Sequence, residues 1–511
     1  MHDHRLGDLT SAGFAQRQAF TEVWLARFEG HGETLSPAQD VDRELILSEL
    51  RGERALIPFA RWRRQPGLYS DLVTRGAYYG ILRESSPMEE RLALLAERLA
   101  EAPAALEVAR ANLDPALVPV EWIAIAERTA PAGARFLRER IASIVPDTAL
   151  GRAVRRTVVP AAEAAADALD RYVAWLRTDL EPKAKGTFAI GREAYEGLLR
   201  DKELVPYDAR TLRAFGEELF AETESKITEA AKALGDSDWR DSVARLRRDH
   251  PEASELVATY RAEMERSRKA VQSAQLATIP YGEELIVETM PDFQRTTYPY
   301  AAYVGAAPFE SSRRGRFWVT LPNADDDERT VRERLEGHPT AGIAVIACHE
   351  GYPGHHLQLS VAADHNSIAR RAIRSNLMVE GWGLYVEELM TELGYLDQPD
   401  TALLRLKDLL WRAARVVVDV GLSTGEMTFD EAVAYMVERP KLEAPNAVAE
   451  VRRYTLTPTQ PSSYALGRAS ILDLRERARG KGWGMRLFHD KLLNAGSLPP
   501  KLLARDIGLD S

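Results

Sequence analysis

The sequence predicts a mainly α protein, a large helical body carrying one small antiparallel sheet next to a histidine-rich helix. Three observations predict this. Apolar residues recur at helical spacing over most of the chain, one stretch at about 280–323 is rich in β-branched and aromatic residues, and a dense His/Glu cluster follows that stretch directly.

Taken in order, residues 92–102 place Leu92, Leu95, Leu99 and Ala102 at three-to-four spacing among Glu and Arg, and amphipathic runs of the same kind cover residues 154–176 and 211–234. Pro58, Pro66, Pro87, Pro103, Pro115, Pro119, Pro131 and Pro146 mark expected helix ends or loops, because proline lacks the backbone N–H that a helix interior needs. These features predict an N-terminal helical subdomain over residues 1–185, hinged at 180–190 to a second region over 186–511. Within the latter, GRFWVTL reads as a strand. Helical patterning resumes after Ile343 and persists nearly to the end, with breaks at Gly480 and at 497–500. No internal repeat or low-complexity linker interrupts it.

The 511 residues, 45% hydrophobic and 28% charged, suffice for a large buried core. A formal net charge of -10 disfavours a nucleic-acid partner, and the short basic pairs Arg313/Arg314 and Arg370/Arg371 read as solvated surface. The opening MHDHRLGDLTSAGF is charged from the start, and no stretch approaches the roughly 18 apolar residues of a membrane span, so a cytoplasmic protein without membrane contact is expected. The single cysteine, Cys348, excludes an internal disulfide and reads as a small buried residue on the helix that carries His349.

The chemistry concentrates in AVIACHEGYPGHHLQLS, which holds His349, His355 and His356 of the ten histidines, with Glu350 directly after the first. In the HExxH zinc motif, histidines four apart lie about 40° apart and roughly 6 Å along a helix, near enough to share one ion, while the adjacent Glu takes a proton from water activated there. Here the spacing is longer. On an unbroken helix His355 would sit about 120° around from His349, and His356 about 10.5 Å up the axis. Pro353 and Gly354 are therefore expected to break the helix and swing one of the two back, preferably His355, leaving His356 behind the ligands or facing substrate. In SNLMVEGWGLYVEELM, Glu380 is the expected third ligand, since Gly381 and Gly383 would let its helix approach closely, while Glu387 and Glu388 read as a solvated face.

The segments HEGYPGHHLQ, EGWGLYVEE, WRAARVVVDVGLS, PTQPSSYALGRASILDLRERA and FHDKLLNAGSLPPKLL, in that order, resemble the bacterial family catalogued as domain of unknown function 885 over residues 188–507. That family looks related to the gluzincin metallopeptidases, so the resemblance implies a helical body with a deep cleft, a small sheet beside the metal-binding helix, one zinc ion held by His349, a following His and Glu380, and Glu350 as base. Ser423 stands where the family usually has His, and Thr459 and Pro461 where Gly and Ala are usual. The resulting expectation is a zinc hydrolase acting on a peptide or small amide, with exopeptidase action favoured; a metal enzyme with a non-peptide substrate and a non-catalytic helical binding protein are the alternatives. Tyr464 is the expected oxyanion donor with Tyr454 in reserve, and Arg468, one helical turn on, could hold a substrate carboxylate, as could Arg453. Residues 315–323, with Trp318, are the segment placed along the substrate, where an exposed sheet edge could take an extended peptide.

Overall fold

A computed structural model describes residues 4–32, 34–83, 86–291, 295, 300–310, 312–323 and 326–510. The chain divides into two compact units: one of Met1–Ala26, Glu53–Ala189 and Asp292–Thr297, the other of Arg27–Gly52, Ile190–Pro291 and Tyr298–Ser511. Among the described residues, no helix is long and apolar enough to cross a membrane.

The first unit is built on the long helices Val120–Ile144 and Ala149–Trp175. Thr148 caps the second by accepting from the Gly151 N–H at 2.9 Å, satisfying a donor that the first helical turn would leave open. Buried Val158, Ala162, Ala165 and Leu169 recur at helical spacing on it, and Leu92, Leu95 and Leu99 are buried on the helix Met88–Ala100 as their pattern predicts. Pro131 departs from expectation: it lies inside Val120–Ile144. Buried Ala126, Ala130, Ala134 and Leu137 on either side hold the helix together across the missing hydrogen bond.

In the second unit, strands β1 (Glu284–Thr289), β2 (Ala301–Val304) and β3 (Arg314–Val319) form one sheet in the order β1-β3-β2. It is mixed, not antiparallel: β3 pairs parallel to β1, with Val287 opposite Phe317, and antiparallel to β2, with Tyr303 opposite Phe317. Side chains alternate across a strand whatever its neighbours' direction, so the residue pattern carries no information on strand order or polarity. β3 is also the central strand, hydrogen-bonded on both sides, so the 315–323 segment is not the edge that strand addition requires.

One face of the sheet buries Phe317 and Val319 against Leu256, Tyr260 and Met264 of the helix Leu256–Ser273 and against Ile343 and Ala347 of the helix Thr340–Glu350. Cys348, on that second helix, instead enters a larger core with Trp382, Tyr385, Leu389 and Phe488, where burial pushes its thiol well above the usual range. The Thr340–Glu350 helix is thus apolar on more than one side, held between sheet and helices. Arg370 corrects the surface reading of its pair: it is 3% exposed, donating to Asp42 at 2.6 Å and Asp506 at 2.7 Å.

Candidate metal centre

The helix that carries His349 ends at Glu350, and a new one, His355–Ala363, begins after four intervening residues. Pro353 and Gly354 fall in the intervening turn, as their backbone chemistry predicts. Gly354 is required there, because a Cβ would stand 1.9 Å from the His349 carbonyl oxygen. The Trp382 indole N–H pins the turn by donating to the Pro353 carbonyl at 2.8 Å. As a result the His349 and His355 rings meet edge to face, with centroids 4.6 Å apart. Ligand atoms of His349, Glu350 and His355 all lie within 4.8 Å of one another.

The helix Asn376–Glu392 supplies the opposing face. Glu380, Gly383 and Glu387 are spaced three and four apart and share one side of it. The Glu380 Oε2 atom is 3.4 Å from His355 Nε2. Two ligand atoms each about 2.0–2.1 Å from one tetrahedral ion would lie about 3.4 Å apart, so this pair fits a shared zinc. Gly383 makes room for the His349 ring, which a Cβ would approach to 2.6 Å, whereas Gly381 serves a different contact: its Cβ would stand 2.4 Å from the Gly467 carbonyl carbon on the helix Gln460–Gly480.

Glu387, read from sequence as solvated, is buried, and its Oε1 lies 2.7 Å from His349 Nδ1. A carboxylate at that nitrogen holds the Nδ1–H tautomer and leaves Nε2 available to an ion. The Glu387 Oε2 and His355 Nδ1 atoms are buried without a hydrogen-bond partner. Burial alone would raise the Glu380 carboxyl, yet the hydrogen bond and charge of His355, with His349 and Arg415 beyond it, pull it down to about 2. Burial opposes a charged His355, but Glu380, Glu350 and Glu387 outweigh it and raise its pKa. Such clustered, mutually shifted groups are typical of functional sites.

His356 is fully buried. Its Nε2 lies 2.6 Å from Glu283 Oε2, the Tyr303 hydroxyl is 3.1 Å from its Nδ1, and a Cβ at Gly315 would stand 2.5 Å from that nitrogen. Both ring nitrogens are engaged, so His356 anchors the start of its helix to the sheet and has no face for substrate. Glu283 also accepts from Arg268 at 3.0 Å and from the Tyr352 hydroxyl; burial would raise its carboxyl, but His356, Tyr352 and Arg268 bring it down to about 2. Nothing in the pattern around Glu283 singles it out, since its partners lie far away in sequence.

The remaining sequence candidates divide. Tyr464 is partly exposed, receives a 3.4 Å hydrogen bond from Gln460, and is raised in pKa first by burial and then by the Glu380 charge. Tyr454 is buried, its hydroxyl accepting from Arg415 at 2.8 Å and Trp411 at 3.2 Å. Arg468 is committed to Glu388, with Nε 2.7 Å from its carboxylate. Trp318 is 2% exposed and donates to Glu288 at 3.0 Å. Ser423 donates to Asp419 at 3.3 Å within a buried polar network.

Fold and site together define a helix-rich protein whose His/Glu cluster, built across a broken helix, is able to hold a metal ion. The chain belongs to the DUF885 family, bacterial proteins of unknown function, whose model matches residues 1–507. Solved structures share its fold, among them these two. One is a candidate lipoprotein of unknown function from Shewanella oneidensis, 23% identical, covering 100% of this chain and 95% of that one with a TM-score of 0.81. The other, a candidate lipoprotein from Colwellia psychrerythraea, is 20% identical and covers 98% and 91%, with a TM-score of 0.79. No curated protein matches.

Proposed function

We propose that the protein is a zinc-dependent hydrolase of peptide or amide bonds, a gluzincin-like member of its family. The observation that carries this reading is the meeting of His349, Glu350 and His355 within 4.8 Å across a helix break, with Glu380 beside His355. His349, His355 and Glu380 would hold the ion, a donor set that favours zinc. Bound there, zinc would polarise the scissile carbonyl and lower the pKa of water.

Glu350, partly exposed at the cluster, accepts the proton of the attacking water and returns it to the leaving amine. Tyr464, partly exposed and subject to the Glu380 charge, would donate to the developing oxyanion. Arg468, held by Glu388, braces the two helices instead of meeting substrate.

Metal content of purified wild type, His349→Ala and Glu380→Ala, followed by peptide-library hydrolysis with Glu350→Gln as control, tests the reading. It expects about one zinc per chain, lost in both ligand variants, and cleavage that disappears in Glu350→Gln. Zinc-free wild type prepared without chelator, or cleavage that survives Glu350→Gln, overturns it. A cytoplasmic location belongs to the same reading; recovery of the native protein in the membrane fraction would overturn that part.

A further inference from the structure

Arg415 lies in the middle of the helix Pro399–Thr424 and is 5% exposed. Its guanidinium sits 4.7 Å from the ring centre of Tyr464 and 4.3 Å from that of Trp411. Nε donates to the Tyr454 hydroxyl at 2.8 Å and Nη2 to Glu450 at 3.0 Å, while Nη1 has no hydrogen-bond partner. Arg453 donates to the same Glu450 oxygen at 2.9 Å and to Gln460 at 2.9 Å, and its side chain is 38% exposed.

Two guanidiniums therefore share one carboxylate, so this trio carries one positive charge in excess. Buried charges are ordinarily balanced, because an uncompensated one loses hydration without gaining a partner. A buried donor without an acceptor is likewise uncommon in native proteins and calls for an explanation. The cluster lies close to the proposed zinc site, because the helix Gln460–Gly480 that carries Tyr464 packs its Gly467 against Gly381, the neighbour of Glu380, so tightly that a Gly381 Cβ would stand 2.4 Å from the Gly467 backbone. A surface ion pair would explain Arg453 alone; it does not explain a second arginine, buried behind an aromatic ring with a donor uncommitted.

We infer that Arg453 and Arg415, bridged by Glu450, form an anion subsite beside the proposed zinc centre that recognises a carboxylate of the substrate. Arg453 is the accessible member and meets the carboxylate directly. Arg415 supplies the second charge from behind Tyr464 and keeps Glu450 turned away from the incoming anion. The inference rests on the hydrolase reading for its placement beside a reaction centre, and it specifies the substrate class: peptides presenting either a free C-terminus or an acidic side chain.

The test measures binding of N-acetylphenylalanine, its C-terminal amide, and N-acetylglutamic α-amide by titration calorimetry to wild type, Arg453→Gln and Arg415→Lys. Each protein is used as purified and after zinc removal. Wild type should bind at least one carboxylate probe about tenfold or more tightly than the neutral amide. Arg453→Gln should abolish the difference and Arg415→Lys, which keeps a cation for Glu450, should reduce it, with melting temperatures showing that both variants fold. Preference confined to N-acetylphenylalanine assigns the subsite to the C-terminus; preference shared by the glutamic probe extends it to acidic side chains. Equal binding of acid and amide by wild type, or a preference that survives Arg453→Gln, overturns the inference. So does a preference removed by zinc depletion alone, which would place the carboxylate on the metal. An acid preference that persists in a protein that cleaves no peptide sinks the hydrolase reading and leaves the subsite standing.

Discussion

Glu387→Gln separates a group that tunes a metal ligand from one that merely fills space. In the native protein the Glu387 carboxylate lies 2.7 Å from His349 Nδ1, and its second oxygen is buried with no partner. Glutamine has nearly the same shape and can still accept from Nδ1–H through its carbonyl oxygen, so the ring stays in place while the negative charge behind it disappears. Loss of such a partner typically weakens metal binding by about 10–100-fold, or about 1.4–3 kcal/mol. Stability without metal should move little or in the opposite direction, because the substitution removes a buried, half-satisfied charge. The assay is zinc competition against a chromophoric chelator, run beside thermal unfolding of the metal-free protein. A lower zinc affinity with unchanged or higher metal-free melting temperature is expected. An unchanged zinc affinity, or a fall in metal-free stability with affinity intact, would refute the argument that Glu387 acts through His349.

Further substitutions probe the glycines, a buried ion pair and a buried acid. Gly383→Ala should deplete zinc with a modest change in melting temperature, since its Cβ would press on the His349 ring at 2.6 Å, whereas Gly381→Ala, 2.4 Å from the Gly467 backbone, should destabilise by about 1–3 kcal/mol whether or not zinc is present. Equal effects on zinc content would contradict the division of labour between them. Arg370→Met should cost about 1.5–3 kcal/mol in chemical denaturation by taking a buried charged donor from Asp42 and Asp506; a neutral result would show that these ion pairs are dispensable. Burial raises the Asp419 carboxyl from 3.8 to about 6 in spite of hydrogen bonds from Ser462, Tyr195, the Thr459 N–H and Ser423. The folded protein therefore binds this proton more tightly than the unfolded chain, so the associated stability is present below pH 4 and is lost as pH rises to about 6, by roughly 3 kcal/mol. Asp419→Asn should flatten that part of the stability profile, because the Ser462 and Tyr195 hydroxyls can turn to accept from its amide; an unchanged slope between pH 4 and 6 would count against the shifted carboxyl.

Much of the candidate site is legible in the chain because its informative features are local. His349-Glu350 next to each other, and a Pro-Gly pair before His355, act through backbone geometry within one turn, and the helix does break where that chemistry requires. The helical body follows from apolar periodicity, which is why Leu92, Leu95 and Leu99 are buried as their spacing predicts. Local rules fail where neighbours from elsewhere in the chain decide. Pro131 remains in a helix because packing offsets a missing hydrogen bond, and Arg370 is interior because Asp42 and Asp506 come to meet it. His356 and Trp318 look available in the sequence but are engaged by Glu283 and Glu288.

The sequence by itself determined a helix-rich chain with one small sheet, the break between the two histidine helices and membership of the family. These depend on periodicity, backbone permissiveness and ordered motifs, all properties of neighbouring residues. Only the tertiary structure decided that the sheet is mixed with β3 at its centre, that Glu387 stands behind His349, and that Arg415 and Arg453 share Glu450. Each of these is a pairing between groups distant in the chain, and whether a polar side chain faces water or a partner depends on which helix or strand packs over it.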